Sequence, residues 1–222
     1  MRIKLYDFDH DTIEMDNCVV TIELEAQKLF VAMVKYFWGG EEESRFGVLD
    51  QEKSIEPKDM LVLTNILDIN LVQKSFLTKL YKKIEKDISD EYNEKLQLEQ
   101  MYVTIKKNLD NLIKKYNIEL EINQEIDIKK LLDFVELKPC TSDDYFENLL
   151  NLVAMSAELK LYKVLVLVNQ KAFLDMEQLT ELYKYALYKK QPIIMIENKH
   201  MQEIIPNEKK LFVDCEMFEF LI

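Results

Sequence analysis

Glycine is scarce in this chain: three in 222 residues, at Gly39, Gly40 and Gly47. A phosphate loop of the form G-x-x-x-x-G-K needs two spaced glycines and a dinucleotide fingerprint needs three, because only glycine lets backbone N–H groups approach phosphate closely. Neither pattern is present, which excludes the common nucleotide-binding motifs. The three cysteines, Cys18, Cys140 and Cys215, are scattered without C-x-x-C spacing, a poor basis for disulfides or zinc and a fit to a reducing cytosol. No apolar run approaches the roughly 18 residues that span a bilayer. Met1 to Phe8 alternates in polarity rather than forming the apolar core of a secretory signal. The chain therefore reads as soluble and cytoplasmic, with no membrane partner.

Basic charge is also in deficit. Lys and Arg number 29 against 41 Asp and Glu, a formal net charge of −12, which taken as a total argues against nucleic acid. Its distribution says the opposite. Residues 74–115 hold ten Lys against seven acids, whereas residues 118–147 hold three basic and nine acidic side chains. Apolar residues make up 48% of the chain, ample for a core of one or two domains.

Periodicity divides the chain into three stretches. Ile3 and Leu5 alternate with polar residues, an acidic turn follows near Asp9 to Asp11, and Cys18 to Leu24 is β-branched enough for a buried strand. Leu29, Phe30, Met33, Val34 and Phe37 recur at helical spacing and stop at Gly39-Gly40. Phe46 to Leu49 and Asp59 to Asn65 read as further strands. From about residue 71 the period becomes helical: Leu77, Leu80, Tyr81, Ile84 and Ile88 form one stripe, and Leu98, Met101, Tyr102, Ile105, Leu109, Leu112 and Tyr116 a second, which predicts a helical hairpin. Ile118 to Ile122 alternates like a short acidic strand, a helix follows near Ile128 to Val135, and Ser142 is placed to cap the next helix. Val164 to Val168, Pro192 to Ile196 and Leu211 to Val213 then alternate with helices, the mark of right-handed crossovers and a parallel sheet. The predicted fold class is α/β: a head of residues 1–67 and 143–222 with a mostly parallel sheet and no phosphate loop, interrupted by an all-helical leg at 68–142.

On the first hairpin helix, the apolar stripe leaves Lys79, Lys82, Lys83 and Lys86 on the opposite face. Such a strip can bind phosphates, each contact releasing condensed counterions, or it can be an ordinary solvated face. No Arg lies on either hairpin helix, and lysine is a point charge without the bidentate fork that reads bases, so any nucleic-acid binding here is sequence-independent.

Other constellations offer enzyme chemistry. Asp7-Phe-Asp9 after a strand resembles the opening of haloacid-dehalogenase-type phosphatases, but Asp11 stands where those enzymes want Thr or Val. Glu197-Asn-Lys199 closes an apolar strand, and acid-x-Lys is half of many two-metal nuclease sites, yet no partner Asp lies on a neighbouring strand. A metal-dependent phosphatase or nuclease using Asp7 and Asp9, or Glu197 and Lys199, is the alternative to a binding protein. Glu119, Glu121, Glu125 and Asp127 crowd into nine residues, either as a solvated acidic turn or as oxygen ligands for a hard cation such as Ca²⁺. His10 and His200 lie far apart beside no nucleophile and read as surface residues.

Several segments, taken in order, resemble the accessory spacer-acquisition protein of type II-A CRISPR systems. They are Lys53-Ser-Ile-Glu-Pro-Lys-Asp-Met-Leu-Val-Leu-Thr-Asn-Ile-Leu67, Asn93-Glu-Lys95, Glu119-Leu-Glu121, Val164-Leu-Val-Leu-Val-Asn-Gln-Lys-Ala-Phe-Leu174 and Ile193-Ile-Met-Ile-Glu197. The resemblance runs essentially end to end. It implies a non-enzymatic homotetrameric ring that encircles double-stranded DNA ends, with lysines lining the hole, Ca²⁺ stabilising the assembly, and other adaptation proteins of the CRISPR system as partners. By position, Glu119, Glu121, Glu125 and Asp127 correspond to the family's calcium-binding stretch, although Asn123 and Gln124 stand where relatives carry further acid. Lys53 and Lys79 fall near the family's DNA-facing lysines. Lys82, Lys83 and Lys86 rest on the helix-face reading alone.

Overall fold

Val164–Val168 (β7) and Ile193–Glu197 (β8) are apolar without alternation, as suits strands covered on both faces, and both are buried at every position. Val19–Leu24 (β3) is buried throughout as well, although it carries Thr21 and Glu23. The structure is a computed structural model that describes residues 1–6, 8–39, 45–65, 67 and 69–222. These fall into two compact units, Met1–Leu71 with Thr141–Ile222, and Val72–Cys140.

In the larger unit, three further strands, Met60–Leu63 (β6), Glu208–Val213 (β9) and Glu219–Leu221 (β10), complete a six-stranded sheet in the order β10-β9-β3-β8-β7-β6. All its pairings are parallel except β9 with β10. The sequence leaves β10 unforeseen. Sequence reading also misses a second, antiparallel sheet of Arg2–Leu5 (β1), Thr12–Glu14 (β2), Phe46–Asp50 (β4) and Lys53–Ser54 (β5), in the order β2-β1-β4-β5. Its inward residues Ile3, Leu5, Ile13, Phe46 and Val48 join Met33 and Phe37 of helix Gln27–Phe37 (α1) and Val20, Ile22, Val166, Ile194 and Leu211 of the large sheet in one core. Side chains alternate across a strand, so Thr21, Glu23 and Lys210 turn away from that core, toward the face where Tyr183 reaches Thr21.

Helices Tyr145–Leu159 (α5) and Met176–Lys189 (α6) belong to this unit and pack on each other. The start of α6 is fixed by a capping box between Asp175 and Gln178. For α5 the cap is Asp144, whose carboxylate accepts from Phe146 N, while Ser142 Oγ accepts from Asp144 N one step earlier; the expected Ser142 cap is thus displaced by two residues. The glycine shortage has a visible consequence. Gly39 takes φ +98° after α1, but the left-handed ends of α5 and α6 are made by Lys160 and Lys190, and Asn17, Gln51, Glu136, Asn169, Asn207 and Met217 also have positive φ. A Cβ makes that conformation cost about 1 kcal/mol or more per residue.

The smaller unit holds Lys74–Asp90 (α2), Tyr92–Ile113 (α3) and Ile128–Phe134 (α4). Glu91, extended at φ −102° and ψ 97°, separates α2 from α3. Phe76 and Tyr81 of α2 and Leu132 of α4 are buried, and Tyr81 donates its hydroxyl to Leu137 O at 2.8 Å. The expectation that the α3 stripe is covered does not hold within one chain: α3 buries no residue, and Met101, Ile105, Leu109 and Leu112 are all exposed. Residues 118–122 form no strand either. Among the described residues their alternation has no neighbouring strand to pair with, and an isolated extended segment has no ladder.

Candidate functional site

On α2 the buried side chains are Phe76 and Tyr81. At 100° per residue, Lys79, Lys82, Lys83 and Lys86 fall on the side away from Tyr81 but next to Phe76, which lies about 20° from Lys83 and about 60° from Lys79; Lys79, Lys82 and Lys86 are exposed and Lys83 half-buried. Lys53 is exposed on β5, opposite Asp50, and belongs to the larger unit.

The acidic segment after α3 is held by side chains of that helix: Tyr102 donates to Asn123 O at 3.0 Å, and Lys106 to the Gln124 side chain. Asp127 caps α4, accepting Lys130 N at 3.0 Å, and that N–H holds its carboxyl below the usual range. Glu125 and Asp127 open on a cleft of about 900 Å³ shared with Glu85, Glu99, Lys95 and Lys129; Glu119 and Glu121 lie outside it. Among the described residues no three His, Cys, Asp or Glu side chains converge as metal ligands. Ca²⁺ takes six to eight oxygens, from carboxylates, backbone carbonyls and water; in the described structure Glu119, Glu121, Glu125 and Asp127 are not gathered to one point.

A charged network that sequence reading passes over lies within the larger unit. Lys171, on the short helical turn Gln170–Ala172 after β7, donates to Glu23 at 3.2 Å and Glu208 at 2.6 Å. Lys210 donates to the carbonyls of Met201 and Glu203 and stands 3.4 Å from Glu23. Thr21, Tyr183 and the Ile205 N–H also donate to Glu208. Burial alone pushes the Glu208 carboxyl up, but the charge and hydrogen bond of Lys171 outweigh it and hold the group low. Burial and Glu208 together lift the Tyr183 hydroxyl well above its ordinary value. The signal for this network is a charged residue inside an apolar strand, as with Glu23 in β3 and Lys210 in β9. Buried charges are retained where they are paired.

As expected His200 is exposed, and His10 is half-buried, but each has a carboxylate partner that the sequence did not suggest. His200 Nδ1 lies 2.8 Å from buried Glu23 and its ring stacks on Phe212, while His10 Nδ1 lies 3.1 Å from Glu219. Glu219 also accepts the N–H groups of Asp9 and His10 at 2.8 and 2.9 Å, tying the turn between β1 and β2 to β10. Asp7 lies outside the described residues. Asp9 is exposed. Glu197 and Lys199 both line a cleft at the carboxyl ends of β7 and β8. Burial raises the Glu197 carboxyl to about 7 against the opposing N–H and charge of Lys171, an environment that disfavours the ionised form a metal pair needs.

A family model described as CRISPR-associated protein (Cas_Csn2) matches residues 39–217. A CRISPR-associated protein Csn2 of Enterococcus faecalis is 22% identical over 204 residues, covering 91% of this chain and 92% of the relative. A CRISPR-associated protein Csn2 of Streptococcus agalactiae is 21% identical over 209 residues, covering 92% of each. Among solved structures, Stu0660 of Streptococcus thermophilus is similar, with a TM-score of 0.54 and 15% identity over 96% of this chain and 75% of that one. At that identity the likeness concerns the fold, a mixed α/β unit with a mostly parallel sheet.

Proposed function

The chain belongs to the CRISPR-associated Csn2 family, and on that premise we propose that it is a non-enzymatic, sequence-independent double-stranded DNA-binding protein acting with other adaptation proteins in spacer acquisition in the cytoplasm. The observation that carries the DNA reading is the lysine face of α2, where Lys79, Lys82 and Lys86 are open to solvent. Lysines without arginine supply phosphate attraction and no base readout. One face gives weak binding; several copies around one duplex add their contacts at high effective concentration.

Assembly into a homotetrameric ring is part of the same proposal. It is supported by α3, whose apolar side chains Met101, Ile105, Leu109 and Leu112 remain about half exposed or more among the described residues. A helix apolar on a face that meets nothing in its own fold marks an interaction surface. Calcium belongs to the proposal at Glu119, Glu121, Glu125 and Asp127. Because these do not converge in the single chain, the ion's ligands must be gathered on binding or completed by another copy.

The test is a mobility shift on linear and on covalently closed circular duplex of one length, with Ca²⁺ or chelator, beside native mass. Binding confined to the linear form, with a tetramer mass, supports an encircling ring. Equal binding to both forms removes encirclement, and no shift at low salt removes the DNA reading. Isothermal titration of Ca²⁺ into the protein tests the acidic segment directly.

A further inference from the structure

The carboxyl ends of β3, β7 and β8 face a cleft of about 1210 Å³ whose lining includes Glu25, Phe173, Glu197, Lys199, His200 and Glu203. Parallel sheets commonly take ligands at this end, because the loops leaving the strands bring polar groups to one crevice. At its floor Glu197 is 4% exposed. Lys171 N donates to its Oε1 at 3.1 Å, but among the described residues no cationic side chain lies within 4 Å of it.

The charge of Lys171 acts on Glu197, but the neighbouring ammonium groups make their direct bonds elsewhere. Lys171 and Lys210 are engaged with Glu23 and Glu208, two lysines against two carboxylates, and His200 is tied to Glu23. Glu197 is the buried carboxyl group left over. Glu25 and Glu203 add negative charge at the rim against Lys199, and Phe173, 52% exposed, offers an aromatic wall.

We propose that this cleft binds an organic cation of the guanidinium or alkylammonium type, its charged head on the Glu197 carboxylate and its stem against Phe173. A guanidinium presents parallel N–H donors to a carboxylate and stacks on aromatic faces. A chelated metal ion fits less well, because among the described residues no three His, Cys, Asp or Glu ligands are gathered here. An inorganic anion would meet three carboxylates with Lys171 unavailable.

The empty site holds its proton up to about pH 7 because burial penalises the charge. A bound cation favours the ionised form, so binding below pH 7 expels a proton, and affinity rises about tenfold per pH unit there before levelling off. The groups facing Glu197 are Lys171, Glu23, Tyr145 of α5 and Tyr183 of α6, and Glu25, Lys199, His200 and Glu203 line the same cleft. Burial lifts both tyrosine hydroxyls further from neutrality, so neither changes charge in this range.

The experiment is isothermal titration of the full chain between pH 5.5 and 8.5 with agmatine, and separately with the peptide acetyl-Gly-Arg-Gly-amide. Expected are an affinity that climbs to pH 7 and then flattens, a loss of at least tenfold at pH 8 in Glu197→Gln, and a smaller, several-fold loss in Phe173→Ala. Binding of agmatine assigns the cation to a free small molecule; binding of the peptide alone assigns it to an arginine presented by a protein chain. Phe173→Ala alters an exposed side chain and tests the site even where Glu197→Gln disturbs the fold. No binding of either probe at millimolar concentration, pH-independent affinity, or unchanged affinity in both variants overturns the proposal.

Discussion

Lys171 Nζ and Glu208 Oε1 meet at 2.6 Å with side chains 4% and 0% exposed, one member on the turn after β7 and the other at the start of β9. That ion pair, shared with Glu23, ties together strands on both sides of β8. Taking charges out of water is costly, and breaking such a pair leaves a buried charge uncompensated. Lys171→Met is therefore expected to lower unfolding free energy by about 3–5 kcal/mol, with recovery of part of that loss in Lys171→Met/Glu208→Gln. Urea unfolding of the single and double variants checks it; additive losses would show that the pair does not act as a unit.

Glu197 gives stability an unusual slope. Its carboxyl titrates at about 7 in the folded protein and at 4.5 as its ordinary value. Between these the folded state binds more protons than the unfolded one, so stability falls as pH rises through that window, by roughly 3 kcal/mol in total. Glu208 works in the other sense: held low, its contribution is present above its ordinary value and is lost only as pH falls through its folded one. Glu197→Gln should match the parent near pH 4.5 and exceed it in melting temperature by a growing margin up to pH 7. A constant offset between the two curves would refute this.

Charge reversal at Lys79, Lys82 and Lys86 together is expected to weaken binding to linear duplex and to reduce the slope of log affinity against log salt by about 2–3 per chain in contact. Fluorescence anisotropy at several salt concentrations measures both. An unchanged slope removes this face of α2 from the DNA interface.

Ile105→Glu with Leu109→Glu places two charges on the uncovered side of α3, where both residues are exposed in the single chain. The monomer's stability should move little, since neither side chain is buried, while the native mass should fall. A mass equal to that of the parent would exclude this face from self-association.

Lys190→Gly removes the Cβ from a left-handed helix end at φ 54°. Relief of that strain, less glycine's greater freedom in the unfolded chain, predicts a gain of up to about 1 kcal/mol. In a chain of this size that is a rise in melting temperature of about 2–4 °C. Lys160→Gly, at φ 48°, should behave alike.

What could be read in advance follows the range of each interaction. Strand β7 announces itself because five consecutive apolar residues suit only a covered strand, and the lysine face of α2 because helical period is local. Ile118 to Ile122 misled, since alternation is a property of the segment whereas a strand is a property of a pair. The α3 stripe misled in a similar way, its period being right but its apolar side chains left largely exposed among the described residues. Among site residues, Glu197 and Lys199 were legible as a strand-end motif, but Lys171 and Glu23 sit 148 positions apart and nothing local joins them.

The amino-acid order alone determined the α/β alternation, the helical insertion, the lack of any phosphate loop and the segregation of lysine from acid, because each is set by neighbours within a few residues. Tertiary structure decided which charges are buried, which buried carboxyl has no ion-pair partner among the described residues, and where β10 and the second sheet pair. Those depend on strand order and register across the whole chain, and no local pattern encodes which distant residue fills the space beside a side chain.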